Sequence, residues 1–326
     1  MGRYQFTHAL IQETLAQEVS STRRARLHAE IAQVLEELYG DSAEAHAAEL
    51  AHHFSEAELV LGIEKLVRYS VLAGNRALAS HAHEDALAHF ERGVLARDIS
   101  RTGMELASDE ESATLLIGLA RAQSATGDGF QLVEAFATLR RAFEYYTEAG
   151  NVELAVAAAE IRIASPAAQI PGIAQLMAHA LTLVPADSHE AGRLLSQYGG
   201  VLGVSEGDYE GAQQVLEKAI SIAKRDEDVP LEVQTLIYAA DVNGTHLHWH
   251  ESIDQGRLAI ELATNDENPY SAIMSRYWTA MGLLHIGDID AARPHALAIA
   301  NLADRRSAPL QLASNGFSVP GLLVVS

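Results

Sequence analysis

Apolar residues recur along this chain at two nested spacings: three or four residues within a segment, and close to forty between segments. The short spacing is that of a helix with one buried face. Ala212, Leu216 and Ala219 define a register that returns 40 residues later as Ser252, Gly256 and Ala259, and again as Ala292, Ala296 and Ile299. Each set follows a polar turn: Gly207-Asp208-Tyr209-Glu210-Gly211, Leu247-His248-Trp249-His250-Glu251 and Gly287-Asp288-Ile289-Asp290-Ala291. Backwards along the chain the register is met by Ala174, Ala178 and Leu181, then Ala135, Leu139 and Ala142, then Ala86, Phe90 and Gly93, at intervals of 38, 39 and 49 residues. The extra length falls at Ser100–Glu111, a polar stretch with Gly103 that reads as a longer loop. A period of this size with two helical patterns per unit predicts an all-α solenoid of stacked helix pairs and essentially no sheet.

The partner helix of each unit has a small-residue face of its own: Gly199, Gly200 and Gly203, then Ala239, Ala240 and Asn243, then Thr279, Ala280 and Leu283. Each glycine weakens an isolated helix by roughly 1 kcal/mol relative to alanine. Three within five residues therefore predict close contact with a paired helix.

These residues resemble the tetratricopeptide repeat, with small residues in the first helix, a Gly-Asp-Tyr-like turn, and Ala-x3-Phe-x2-Ala in the second. The resemblance implies a right-handed superhelical α-solenoid of antiparallel pairs, with a period nearer 40 than 34. The N-terminal region adds a second resemblance. Tyr4-Gln5-Phe6-Thr7-His8-Ala9-Leu10-Ile11, Arg23-Arg24-Ala25-Arg26-Leu27-His28, Ala48-Glu49-Leu50-Ala51-His52-His53-Phe54 and Ala86-Leu87-Ala88-His89-Phe90-Glu91-Arg92 form a series. It is similar to the region behind the ATPase module of bacterial STAND-type signalling regulators, which are joined to nucleotide cyclases or LuxR-type DNA-binding domains. The implied organisation is an N-terminal helical segment at 1–58, repeats at 59–306 and an irregular tail at 307–326. On that reading the chain is a piece of a larger regulator, for it has no Gly-x4-Gly-Lys-Ser/Thr phosphate loop.

Composition narrows the function. The net charge of −21, from 23 basic and 44 acidic residues, repels phosphate backbones and argues against nucleic acid as a partner. The absence of cysteine leaves no disulfide or thiol chemistry and fits a reducing, cytoplasmic compartment. No segment approaches the roughly 20 apolar residues of a membrane span. Nothing in the sequence calls for a cofactor.

Four constellations carry possible chemistry. Gly203-Val204-Ser205-Glu206-Gly207 matches Gly-x-Ser-x-Gly, but a nucleophile elbow needs a strand before the serine and the repeat register puts a helix there. If Ser205 did act as an esterase nucleophile, His179, His189, His246 and His248 are the candidate bases, and the alternative site pairs Ser205 with His246 or His248. His81-Ala82-His83-Glu84-Asp85 mimics a metal-binding run; on a helix His81 and Asp85 share a face while His83 points about 160° away. His246, His248 and His250 surround Trp249 in a repeat turn and could hold a metal, although sister repeats carry Asp208 and Glu210, or Asp288 and Asp290, at the last two positions. His52 and His53 face different directions on one helix, and the family resemblance accounts for them.

The reading favoured by the architecture is non-catalytic. In the tetratricopeptide register the first helix of each unit would line a concave groove with Gln197, Val201, Ile237, Asp241, Tyr277 and Met281. This mixed apolar and polar strip suits a peptide, a protein or a neighbouring domain of the parent regulator.

Overall fold

The turns set the architecture, because they follow one recipe. A residue with positive φ ends one helix and the next residue takes the N-cap position of the following one. The pairs are Gly150-Asn151, Gly207-Asp208, Glu227-Asp228, Leu247-His248 and Gly287-Asp288. Asn151, Asp208, Asp228 and Asp288 accept a hydrogen bond from the backbone N–H three residues on, at 3.2, 2.9, 2.9 and 3.1 Å. A short polar side chain at the N-cap satisfies a backbone donor that the helix cannot. Reversal in so few residues leaves consecutive helices antiparallel and side by side.

The computed structural model describes residues 19–126, 129–163, 170–263 and 268–305, and among these no strand occurs. The chain divides into two compact units, 1–122 and 123–326. In the first, α1 (Ser21–Tyr39) leads through a 3₁₀ turn (Gly40–His46) to α2 (Ala47–Glu56), α3 (Glu58–Leu61), α4 (Glu64–Ala79) and α5 (His83–Ala96). After the expected loop comes α6 (Glu110–Thr126), within which the unit boundary falls. One core gathers Ala32, Leu50, Phe54, Leu66 and Tyr69. Helices from the 1–58 segment thus share a core with α4. A second core surrounds Phe90, with Val67, Ala86, Leu115 and Leu119. Gly74 and Gly118 make room for that ring: a Cβ on either would lie 2.6 or 2.0 Å from it.

The second unit contains α7 (Gly129–Glu148), α8 (Val152–Ala159), α9 (Ile173–Thr182) and α10 (His189–Gly200), the last extended by a π-helical turn (Val201–Glu206). Then follow α11 (Tyr209–Arg225), α12 (Val229–Thr245), α13 (Trp249–Leu262), α14 (Pro269–His285) and α15 (Ile289–Arg305). From α10 onward the first helices begin at 189, 229 and 269 and the second helices at 209, 249 and 289, so each set recurs at 40 residues. Each helix packs against its neighbours in the sequence, and α12 also touches α10 and α14. The register residues lie where periodicity puts them: Ala212, Leu216, Ala219, Ala259, Ala292 and Ile299 are buried. Ser252 replaces alanine at one such site and donates its hydroxyl to Ala240 O at 2.8 Å, so its burial leaves the group satisfied.

The glycine face of α10 is more divided than expected. Gly199 packs against Leu216 and Gly203 against Val242 and Ala212, but Gly200 turns to the next first helix, where a Cβ would lie 2.7 Å from Tyr238. The close approach at Gly200 is therefore between units of the repeat, not within a pair. No described helix is long and apolar enough to cross a membrane.

Candidate functional site

The space left by Gly200 is filled by the Tyr238 ring, and Tyr238 anchors a polar cluster on the first-helix side of the second unit. Arg162 leaves the chain just after α8 and donates to Tyr238 Oη from Nε at 3.0 Å and from Nη2 at 2.5 Å. Its guanidinium lies 4.5 Å from the centre of the Tyr270 ring and 5.1 Å from that of Tyr238. Cations over aromatic faces are attracted by the ring quadrupole, more strongly where water is excluded. The backbone before Arg162 is held from α10: Arg193 Nε donates to Glu160 Oε1 at 2.7 Å, and Gln197 Nε2 to Glu160 O at 3.1 Å.

Asp241 and Tyr277 complete the cluster. Burial pushes the Asp241 carboxyl up to about 7, with the Thr245 hydrogen bond and the charge of Arg162 acting the other way. Thr245 Oγ1 donates to its Oδ1 at 3.4 Å, and the charge of Arg162 acts on it without a direct ion pair among the described residues. Asp241 as a residue is half-buried, and burial dominates the environment of its carboxyl. Burial pushes Tyr270 up to about 12, and raises Tyr277 too, where the charge of Asp241 adds to it. Arg162 stays a cation: burial opposes its charge, and Tyr238 and Tyr270 more than offset that. One cation, one carboxyl poised near neutrality and three phenols thus share a single field.

Of the six groove residues expected from sequence, Gln197, Asp241, Tyr277 and Met281 are half-buried; Gln197 is committed to Glu160 O, and Tyr277 and Met281 pack against the core around Ile273. Val201, also half-buried, opens the π-helical turn. Ile237 is only 3% exposed and belongs to the core with Leu236 and Ile273, so it offers nothing to a ligand. Arg162, Tyr238 and Tyr270 were not anticipated. Arg162 lies outside the repeat register, in a connection whose only sequence mark is a cation set between two isoleucines.

The alternative chemical centres are dispersed. Ser205 lies in the π-helical turn with no strand before it. His246 Nε2 is 2.8 Å from Gly203 O, and its ring lies 5.0 Å from Tyr209; His248 stacks on Tyr209 at 4.6 Å. Neither imidazole bonds to Ser205. His179 lies edge-on to Phe143, and His189 faces Asp226 and Asp228 at 3.5 and 3.3 Å. His81 does not share a helix with Asp85: α5 starts at His83, and His81 sits in the turn with φ of 60°. His250 is exposed. Among the described residues no group of three or more histidine and acidic side chains could hold a metal ion. No protein-family model matches this chain, and no curated protein matches it.

Proposed function

We propose that the chain is a non-catalytic protein-interaction or sensor region built as a tetratricopeptide-like superhelix, the helical-repeat part of a STAND-type signalling regulator. It binds a peptide, a protein or a neighbouring domain along its first-helix face. The observation that carries this reading is Asp241, a half-buried residue whose carboxyl has no cation in ion-pair distance among the described residues and whose charge acts on Tyr277. A basic group on the partner supplies that counter-ion and keeps the acid ionised, while Tyr277 contributes broad contact with one polar tip. Leaving such a carboxyl unpaired is costly, so its pairing favours the complex.

The test is a displayed-peptide selection against the immobilised chain, followed by calorimetry on the selected sequences. Expected are peptides containing Lys or Arg, whose affinity falls by about tenfold or more in Asp241→Ala and in Tyr277→Ala. Undiminished binding to both variants, with their helical spectra intact, removes the first-helix face from consideration.

A further inference from the structure

Helix α1 is apolar on two opposite faces, and only one of them is covered. Ala25, Ala29 and Ala32 are buried against the first unit. The other face carries the larger side chains: Leu27, Ile31, Val34 and Leu38 are 44, 41, 61 and 74% exposed. Their spacings of 4, 3 and 4 place them within an arc of about 60° at 3.6 residues per turn, the seam of a two-helix coiled coil. Leu59 and Val60 on α3, a helix that packs on α1, are exposed as well. A helix that buries its alanines and shows water its leucines is missing a partner.

The charges on α1 say which partner. The first half carries Arg23, Arg24 and Arg26 with no acid, and the second half Glu30, Glu36 and Glu37 with no base. Arg24 is engaged by Glu56 at 3.4 Å, and Glu36 by Lys65 and Tyr69. The remaining Arg23, Arg26, Glu30 and Glu37 share one flank of the apolar stripe. A second α1 laid parallel sets arginine against arginine. Laid antiparallel about a twofold axis, the same flank meets itself with the basic half opposite the acidic half.

We propose that the chain forms a twofold-symmetric homodimer through α1, with the Leu27–Ile31–Val34–Leu38 stripes of two copies packed antiparallel. Arg26 of each copy then lies near Glu37 of the other. One helix pair makes a small interface, so the dissociation constant falls in the micromolar range.

The test is sedimentation equilibrium of the full chain across that range. The expected species has twice the 35.1 kDa chain mass. Val34→Glu places a charge at an exposed position, so folding survives and the dimer is lost. Arg26→Glu or Glu37→Arg alone weakens association by about tenfold, and the two together restore it. A monomeric wild type overturns the proposal, as does a dimer indifferent to Val34→Glu. Residues 1–18 precede α1 and lie outside the described residues. A chain that is monomeric until they are removed, and self-associates afterwards, would assign the face to that segment and refute the dimer. Failure of the charge restoration alone would refute the antiparallel arrangement.

Discussion

Asp241 makes the second unit sensitive to pH, and the sign follows from where its proton sits. An aspartate in an unfolded chain titrates near 3.8; in the folded chain burial lifts Asp241 to about 7. Between those values the unfolded chain has released the proton and the folded chain keeps it. Stability contributed here is full below pH 3.8 and is lost as pH rises through 7. Histidines pull the other way. Burial lowers His28 and His53, whose Nδ1 atoms are 3.1 Å apart, so folding favours their neutral forms and loses support as pH drops below their ordinary 6.5. Comparing a variant with wild type isolates the aspartate. Asp241→Asn is expected to raise the thermal midpoint relative to wild type at pH 8 and to leave it nearly unchanged at pH 4. Superimposable midpoint–pH curves for the two proteins would mean that Asp241 is solvated in the folded chain. A basic ligand acts on the same group, since it favours the ionised form, so its binding should tighten as pH rises through 7.

Helices of the second unit are cut to length by their turns, and the Leu247-His248 turn lacks both the glycine and the capping aspartate of the turns 40 residues before and after it. Gly207 and Gly287 adopt φ of 72° and 86°, and each is followed by a capping aspartate. At the matching place Leu247 adopts φ of 66° with its side chain exposed, and His248 makes no side-chain cap. A β-carbon in the left-handed region costs roughly 1 kcal/mol, and a missing cap about as much. Leu247→Gly with His248→Asp should therefore stabilise the chain by about 2 kcal/mol in denaturant titration. No gain in either single variant would show that Leu247 and the His248–Tyr209 stack repay the strain. This turn also accounts for the histidines around Trp249, which the sequence left as an alternative metal site. His248 stands at the N-cap of α13 and His246 packs on Tyr209, while His250 is exposed in the first turn of α13. The π-helical turn at Val201–Glu206 left no comparable mark, because Gly199 and Gly200 before it and Gly203 within it fit a regular helix equally well.

At the scale of the molecule, the helical pairs were legible because each core position repeats its spacing and its smallness. The register put Asp241 and Tyr277 on first helices, but it put Ile237 at the same position as Tyr277 one period earlier, where the side chain is core. Arg162 was not legible, since its place depends on a connection between helices, and periodicity says nothing about connections. Such locality also governs stability. A protein whose helices touch chiefly their sequence neighbours has stability that adds up from adjacent contacts. Two apolar clusters, around Phe54 and Phe90, lie wholly within the first unit. Among the described residues four others, which include Ala191, Ala212, Ile237 and Ile253, lie wholly within the second. The residues of the Asp241 cluster, from Arg162 to Tyr277, also belong to the second unit. Residues 123–326 produced alone should therefore give a helical circular dichroism spectrum and a cooperative melt. They should also bind a selected basic peptide with the affinity of the full chain. An unfolded fragment would place essential core contacts across the boundary at Ala122. A folded fragment that no longer binds would instead move the binding surface into the first unit.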